Sequence, residues 1–235
     1  MEVREADKVE ITVLMDNYTD LFLPGTDRVQ RVPLARGDQL ANPLLAEHGL
    51  SLLVKAHHGK ESYSVLLDAG WSRVGVPYNL QALEIDPREI EAGVASHGHP
   101  DHCGAWEEVL NWLSPRKIPW VAHPDAFLSR YLNLPDGRKI NFSPPQPERL
   151  EAAGAELCLV RSPSHLGGNL ILVTGEVERS TDFEKGLPNA FAVREGKTEH
   201  DPILDDQALV LQVRGKGLVV ISGCAHAGII NTVRY

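Results

Sequence analysis

His97-Gly98-His99-Pro100-Asp101-His102 places three imidazoles and one carboxylate within six residues. Imidazole nitrogen and carboxylate oxygen are ligands that zinc, iron and manganese accept. In an extended backbone, residues two apart point to the same side, so His97 and His99 can grip one ion together. Asp101 and His102 follow a proline that stiffens the turn, and they can face a second ion. The rival reading, a solvated loop rich in histidine, gives no reason for this spacing. The motif predicts a metal site without naming a substrate.

Outward from this stretch, Gly93 to Ser96 reads as a short buried strand leading into the cluster, and Ala105 to Leu113 as a helix leading away. Upstream, β-branched and apolar content predicts strands over Val9 to Met15, Leu50 to Lys55 and Ser62 to Leu67. His57-His58-Gly59-Lys60 reads as the hairpin turn between the last two, with both histidines exposed. Asp16 to Pro43 is punctuated by Pro and Gly and reads as a long loop, a common place for function. Asp86-Pro87 reads as a cap and first-turn proline opening a helix through Ile90.

Downstream, Pro119 to Ala122 is predicted as a strand and Asp125 to Leu132 as a helix. Tyr131 to Pro147 is polar and Pro-rich, hence a surface loop. Pro147 to Ala153 reads as a helix, and Ala155 to Val160 and Asn169 to Thr174 as strands. Glu178 to Asp205 has weak periodicity and many charges, and reads as an irregular excursion. Gln207 to Val213 and Gly217 to Ser222 form a hairpin around Arg214-Gly215-Lys216. Alternating strands and helices argue for an α/β protein, and the hairpins for mixed sheets.

The 235 residues suffice for one large domain over residues 1–235, and 43% apolar content supplies its core. The formal net charge is −9 and no Lys/Arg run stands out, which argues against a nucleic-acid partner. The N-terminus, MEVREADKVE, lacks the apolar stretch of a signal peptide. No apolar run is long enough to span a bilayer, so no membrane partner is expected. Cys103, Cys158 and Cys224 are an odd number without a C-x-x-C pair, which fits a reducing cytoplasm.

Ser96 to Gly104, SHGHPDHCG, resembles the H-x-H-x-D-H motif of the metallo-β-lactamase fold. Asp68 in LLDAG resembles that superfamily's first motif, which implies a role supporting the ligand loop; a plain turn residue before Gly70 is the alternative. EHGLSLLV (Glu47 to Val54), TGEVER (Thr174 to Arg179), DDQALV (Asp205 to Val210) and SGCAHAGIINTV (Ser222 to Val233) resemble a narrower branch. That branch comprises dihydropterin/ribofuranosylaminobenzene-phosphate synthase-like metal-dependent hydrolases. The resemblance implies an αββα sandwich of mixed sheets. It also implies one or two divalent metal ions, zinc favoured over iron or manganese, and a small, phosphorylated or pterin-like substrate.

Several residues carry two readings. His226 lies just past a strand end, where the turn aims it into the cleft, and it is the expected distant ligand. Cys224 stands near where many relatives have an Asp; a metal-bound thiolate and a small buried Cys beside a tight turn are both open. Ser162-Pro163-Ser164-His165 resembles the third superfamily motif, and His165 is either a ligand or a surface turn residue. His48 either lines the substrate cleft or bonds to backbone at a strand start. Asp205-Asp206 caps or turns the chain before a strand, or one of the two faces the site. Glu176 and Arg179 are expected as an ion pair, His123 and Cys103 as structural, and His200 as solvated.

The resembled family usually continues past NTVRY with another strand-helix unit and further histidines. The fold is therefore expected to be incomplete at the C-terminus, with an uncovered edge that a homodimer would close. The leading functional expectation is a hydrolase in which metal-activated water attacks a small molecule and Asp101 orients that water. The alternatives are a pterin-related transferase or synthase on the same site, and a metal-binding or redox-sensing protein without turnover.

Overall fold

The computed structural model describes residues 2–235. Its largest sheet has six strands in the order Ala155–Leu159, Ile118–Ala122, Ala92–Val94, Glu61–Leu67, Ser51–His58, Lys8–Met15. The first four run parallel and the last two are antiparallel. Strand residues alternate between two cores, as a period of two requires. Leu53 and Leu66 face one side, with Leu80, Trp106, Leu110 and Leu150 from three helices. Those helices are Gly75–Ala82, Trp106–Leu113 and Pro147–Ala153. Val54, Val65, Leu67 and Val94 face the other side, against Ile171, Val173, Leu209 and Leu211 of a second sheet.

That second sheet runs Glu5–Ala6, Ala208–Val213, Ile171–Val173, Ser164–Leu166, with Gly217–Ser222 on Ala208–Val213. Two sheets face to face with helices outside make the expected α/β sandwich of mixed sheets. Trp106–Leu113 illustrates why its helices form. Residues 106, 109, 110 and 113 are apolar at the spacing of one helix face, and all four are buried. The short helix Ile229–Arg234 follows the Gly217–Ser222 strand. Among the described residues, no helix is long and apolar enough to cross a membrane.

A four-stranded antiparallel sheet was not expected. It runs Lys139–Phe142, Arg130–Asn133, Ala190–Arg194, Lys197–His200. It replaces the helix expected over Asp125 to Leu132, and part each of the loop over Tyr131 to Pro147 and the excursion over Glu178 to Asp205. The pairing joins segments far apart in sequence, Ala190 opposite Leu132 and Phe191 opposite Tyr131, with the two rings stacked at 5.3 Å. Short half-exposed strands held by such distant partners leave little periodicity to read. Helical geometry survives only as a 3₁₀ turn at Pro124–Phe127, where His123 Nδ1 accepts the Asp125 N–H.

Asp86 does cap, accepting the Arg88 N–H, but it opens a single 3₁₀ turn over Pro87–Glu89. His57 and His58 end a strand instead of forming the turn, and His57 meets Glu10 at 2.5 Å.

One close approach fixes the strand that feeds the His motif. A Cβ on Gly93 would lie 2.2 Å from the Trp120 ring on the neighbouring strand. Gly93→Ala must displace that ring and is expected to cost about 1–3 kcal/mol, measured by urea unfolding.

Candidate metal centre

The parallel strand Ala92–Val94 delivers the chain at its C-terminal end, where α/β sheets place their ligands. Residues 95–99 there are buried. Two neighbours hold this loop. Asp68, at the end of the adjacent strand, is fully buried and adopts φ 58°, a left-handed backbone uncommon outside glycine. Its Oδ1 accepts the Ser96 N–H at 2.7 Å, and its Oδ2 accepts the Ser96 hydroxyl at 2.6 Å. Oδ2 also lies 2.7 Å from His102 Nδ1. The Ser96 hydroxyl, committed as donor to Asp68, accepts from His97 Nδ1 at 2.9 Å. One carboxylate thus fixes the tautomer of two imidazoles, leaving His97 Nε2 buried and bare and turning His102 Nε2 toward Asp101 and Cys224, the usual support for a metal-binding His.

The second hold is Asp205-Asp206-Gln207, from the start of the facing sheet. Asp205 Oδ2 accepts the N–H of Gly98 at 2.8 Å. Gln207 donates to the carbonyls of Ala95 at 2.7 Å and Ser96 at 2.9 Å. Asp206 Oδ2 accepts the N–H of Ala227 at 2.8 Å, next to His226. Burial pushes the Asp206 carboxyl up to about 6, against those backbone donors. Three consecutive residues therefore join the His97–His99 loop to the distant His226 turn. Gly98 is required at the loop's centre, since a Cβ there would lie 2.0 Å from the Ala126 carbonyl oxygen.

Four expected ligands come together. Ring centroids are 4.6 Å apart for His97 and His99, 4.8 Å for His97 and His226, and 4.9 Å for His99 and His226. His102 lies 4.2 Å from His97. Among the described residues, two groups have ligand atoms all within 4.8 Å of one another: His97, His99 and His226; and His97, His102 and Cys224. Nε2 of His97 and of His226 are buried with no hydrogen-bond partner. Bare buried imidazole nitrogens are costly unless a ligand meets them, so the residues fit a divalent ion.

The electrostatics agree. Burial, reinforced by neighbouring imidazoles, drives the basicity of His97 far down and that of His226 to about 3. His99 is lowered by burial and by Arg130. His102 differs: burial opposes its proton, but Asp68 and hydrogen bonds to Asp101 and Cys224 push it up to about 12.

Asp101 Oδ2 lies 3.4 Å from His102 Nε2 and 3.6 Å from the largely exposed His48. Cys224 Sγ lies 3.1 Å from His102 Nε2 and the residue is exposed, which corrects the buried alternative. His165 is brought into neither group. It sits in Ser164–Leu166, opposite Leu172 in the second sheet. The Glu176–Arg179 pair does not form. Glu176 meets His123 at 3.4 Å and Arg161 at 3.5 Å. Arg179 donates to the carbonyls of Ile203 at 2.9 Å and His226 at 3.4 Å, bracing the His226 turn. His123 is buried, as expected of a structural residue, and His200 is exposed. Cys103 is partly buried at the core.

Sequence reading passed over Arg130 and Gln207. The Arg130 side chain is 2% exposed; its Nε donates to Asp201 at 2.6 Å and its Nη2 to Asp205. The one legible signal was DDQ itself, three polar residues opening an apolar strand. Arg130→Met would take the buried guanidinium away from Asp205 and Asp201, leaving Asp205 with the Gly98 N–H but no cation, an expected loss of about 3–5 kcal/mol, read from the urea midpoint.

Residues 46–168 match the model of the metallo-beta-lactamase superfamily, just over half of the sequence. The chain belongs to that superfamily. Within it, the chain is 28% identical over 200 residues to 7,8-dihydropterin-6-methyl-4-(beta-D-ribofuranosyl)-aminobenzene-5'-phosphate synthase of Methanocaldococcus jannaschii, covering 82% of this chain and 66% of that protein. It is 32% identical over 191 residues to MJ0448, an uncharacterised protein of the same organism, covering 81% and 67%. The chain thus spans about two thirds of the length of these curated relatives. The crystal structure of Tm1679, a metal-dependent hydrolase of the beta-lactamase superfamily, shares the fold with a TM-score of 0.67. That match is 24% identical and covers 97% of this chain and 70% of Tm1679.

Proposed function

We propose that the chain is a metal-dependent hydrolase acting on a small, pterin-related substrate. His97, His99 and His226 would hold one divalent ion, with zinc favoured; Asp101 and His102, with Cys224 beside them, would hold a second. The observation that carries this reading is the convergence of bare, buried imidazole nitrogens from two distant segments of the chain. A divalent ion there supplies Lewis acidity, making water a nucleophile near neutral pH and polarising an electrophilic oxygen.

The chain's own residues do the rest. Burial keeps His97 and His226 uncharged, so their nitrogens stay available as ligands. Burial raises the Asp101 carboxyl, but His102 outweighs it and holds the group below its ordinary range. Asp101 therefore stays an ionised acceptor at the edge of the cluster, 16% exposed, placed to orient a nucleophile and take its proton. Asp68 holds His102 and Ser96, so ligand directions are set before any ion arrives.

The first test is metal content by elemental analysis. The wild-type chain is expected to carry metal, and His97→Ala/His99→Ala to carry almost none; equal, near-zero metal in both would sink the proposal. Asp68→Asn should weaken metal affinity by about 10–100-fold, measured by competition with a chelator dye.

A second reading, a pterin-related synthase or transferase on the same residues, is favoured by the similarity to a protein named as such a synthase. Turnover in ¹⁸O-labelled water separates the two. Hydrolysis places solvent oxygen in the product, and group transfer to another acceptor leaves the product unlabelled.

A further inference from the structure

We infer that the half-exposed indole of Trp71 is a stacking face beside Asp101 for the planar heteroaromatic ring of the substrate, with the tilted imidazole of His48 as its side wall. The inference rests on the metal-centre reading above and adds how the substrate is held.

Trp71 is 50% exposed, while Trp106 and Trp120 are buried and Trp112 is packed partly into the core. An indole left half in water forgoes much of the burial that makes it worth having. Its main chain performs the local structural work. The Trp71 N–H donates to Glu47 Oε1 at 2.9 Å, and the Ser72 N–H to the same oxygen at 3.0 Å. The backbone is therefore fixed while the ring face stays open.

The ring's position gives it a use. Its centroid lies 5.9 Å from that of His48, with the two planes tilted by 55°, and His48 Nε2 lies 3.6 Å from Asp101 Oδ2. Indole, imidazole and carboxylate form a continuous series from the exposed aromatic face to the proposed metal ligands. A second aromatic ring, Phe142, lies 5.8 Å from His99, so aromatic surface adjoins the cluster at two points. Trp71 also lines a cavity of about 270 Å³ with Pro100 and Cys103, at the two ends of the turn that carries Asp101 and His102.

The charges along that cavity are matched. Arg73 meets Glu108, and Arg149 meets Glu107 at 2.7 Å. Both arginines are thus engaged in ion pairs, and the cluster histidines themselves do not line this groove. Aromatic platforms bind planar rings through their faces, and alanine substitution typically weakens such binding by about fivefold or more.

The experiment is calorimetric titration of the metal-loaded chain with pterin, 4-aminobenzoate and ribose 5-phosphate separately, with metal content measured on each sample. Pterin is expected to bind and to quench tryptophan fluorescence, and ribose 5-phosphate not to bind. Trp71→Ala should weaken pterin binding at least about fivefold, Trp71→Phe should restore most of it, and metal content should stay at the wild-type level. His48→Ala should give a smaller loss in the same direction. Because the Trp71 ring makes no structural hydrogen bond, Trp71→Ala should fold, and its thermal transition checks this. Pterin binding unchanged in Trp71→Ala, binding of 4-aminobenzoate in preference to pterin, or no binding of either ring by metal-loaded wild type would each overturn the platform. A wild-type chain without metal that still binds pterin through Trp71 would overturn the metal reading and leave the platform standing.

Discussion

The carboxylate of Asp68 is the constraint on which the candidate site depends. It is wholly buried, and all of its strong partners belong to the His loop: the Ser96 N–H, the Ser96 hydroxyl and His102 Nδ1. A buried carboxylate without partners is prohibitively costly, so the fold cannot keep Asp68 inside unless the loop closes around it. The same closure directs His97 and His102. The left-handed backbone of Asp68, φ 58°, is tolerated because the surroundings over-determine it: its N–H donates to Val94 and its carbonyl accepts from Ser51.

A second set of buried charges joins the two halves of the cluster. Asp205 reaches Gly98 between His97 and His99; Asp206 reaches the turn that carries His226. Asp205 is satisfied in turn by Arg130, from a strand of the four-stranded sheet. The small sheet is thus tied into the frame. It supplies the cation that makes a buried Asp205 affordable, and it places Phe142 against His99. The large sheet brings the histidines to a strand end, the second sheet fixes the spacing between their segments, and the small sheet neutralises the clamp.

The arrangement separates rigidity from recognition. Asp68, Ser96, Asp205 and Gln207 are fully or almost fully buried and serve geometry. His48, Trp71 and Cys224 are exposed around the cluster, outside that frame.

The sequence by itself determined the strand before the His motif, the helix after it, the Ala208–Val213 hairpin, and the gathering of metal-ligating residue types in six positions. These are local facts: periodicity, turn chemistry and ligand spacing act over a few residues. It also pointed to His226, because a histidine just past a strand end must project from the sheet's edge. Only the tertiary structure decided that Arg130–Asn133 is a strand and not a helix, because one of its two partner strands lies about sixty residues away. Only the tertiary structure exposed Cys224, separated Glu176 from Arg179, and placed His165 in a strand outside the two close groups. The role of Asp205-Asp206-Gln207 was hidden for the same reason. A buried polar residue is defined by the partner it meets, and here the partners come from segments that only the packing of one sheet on another brings within hydrogen-bond reach.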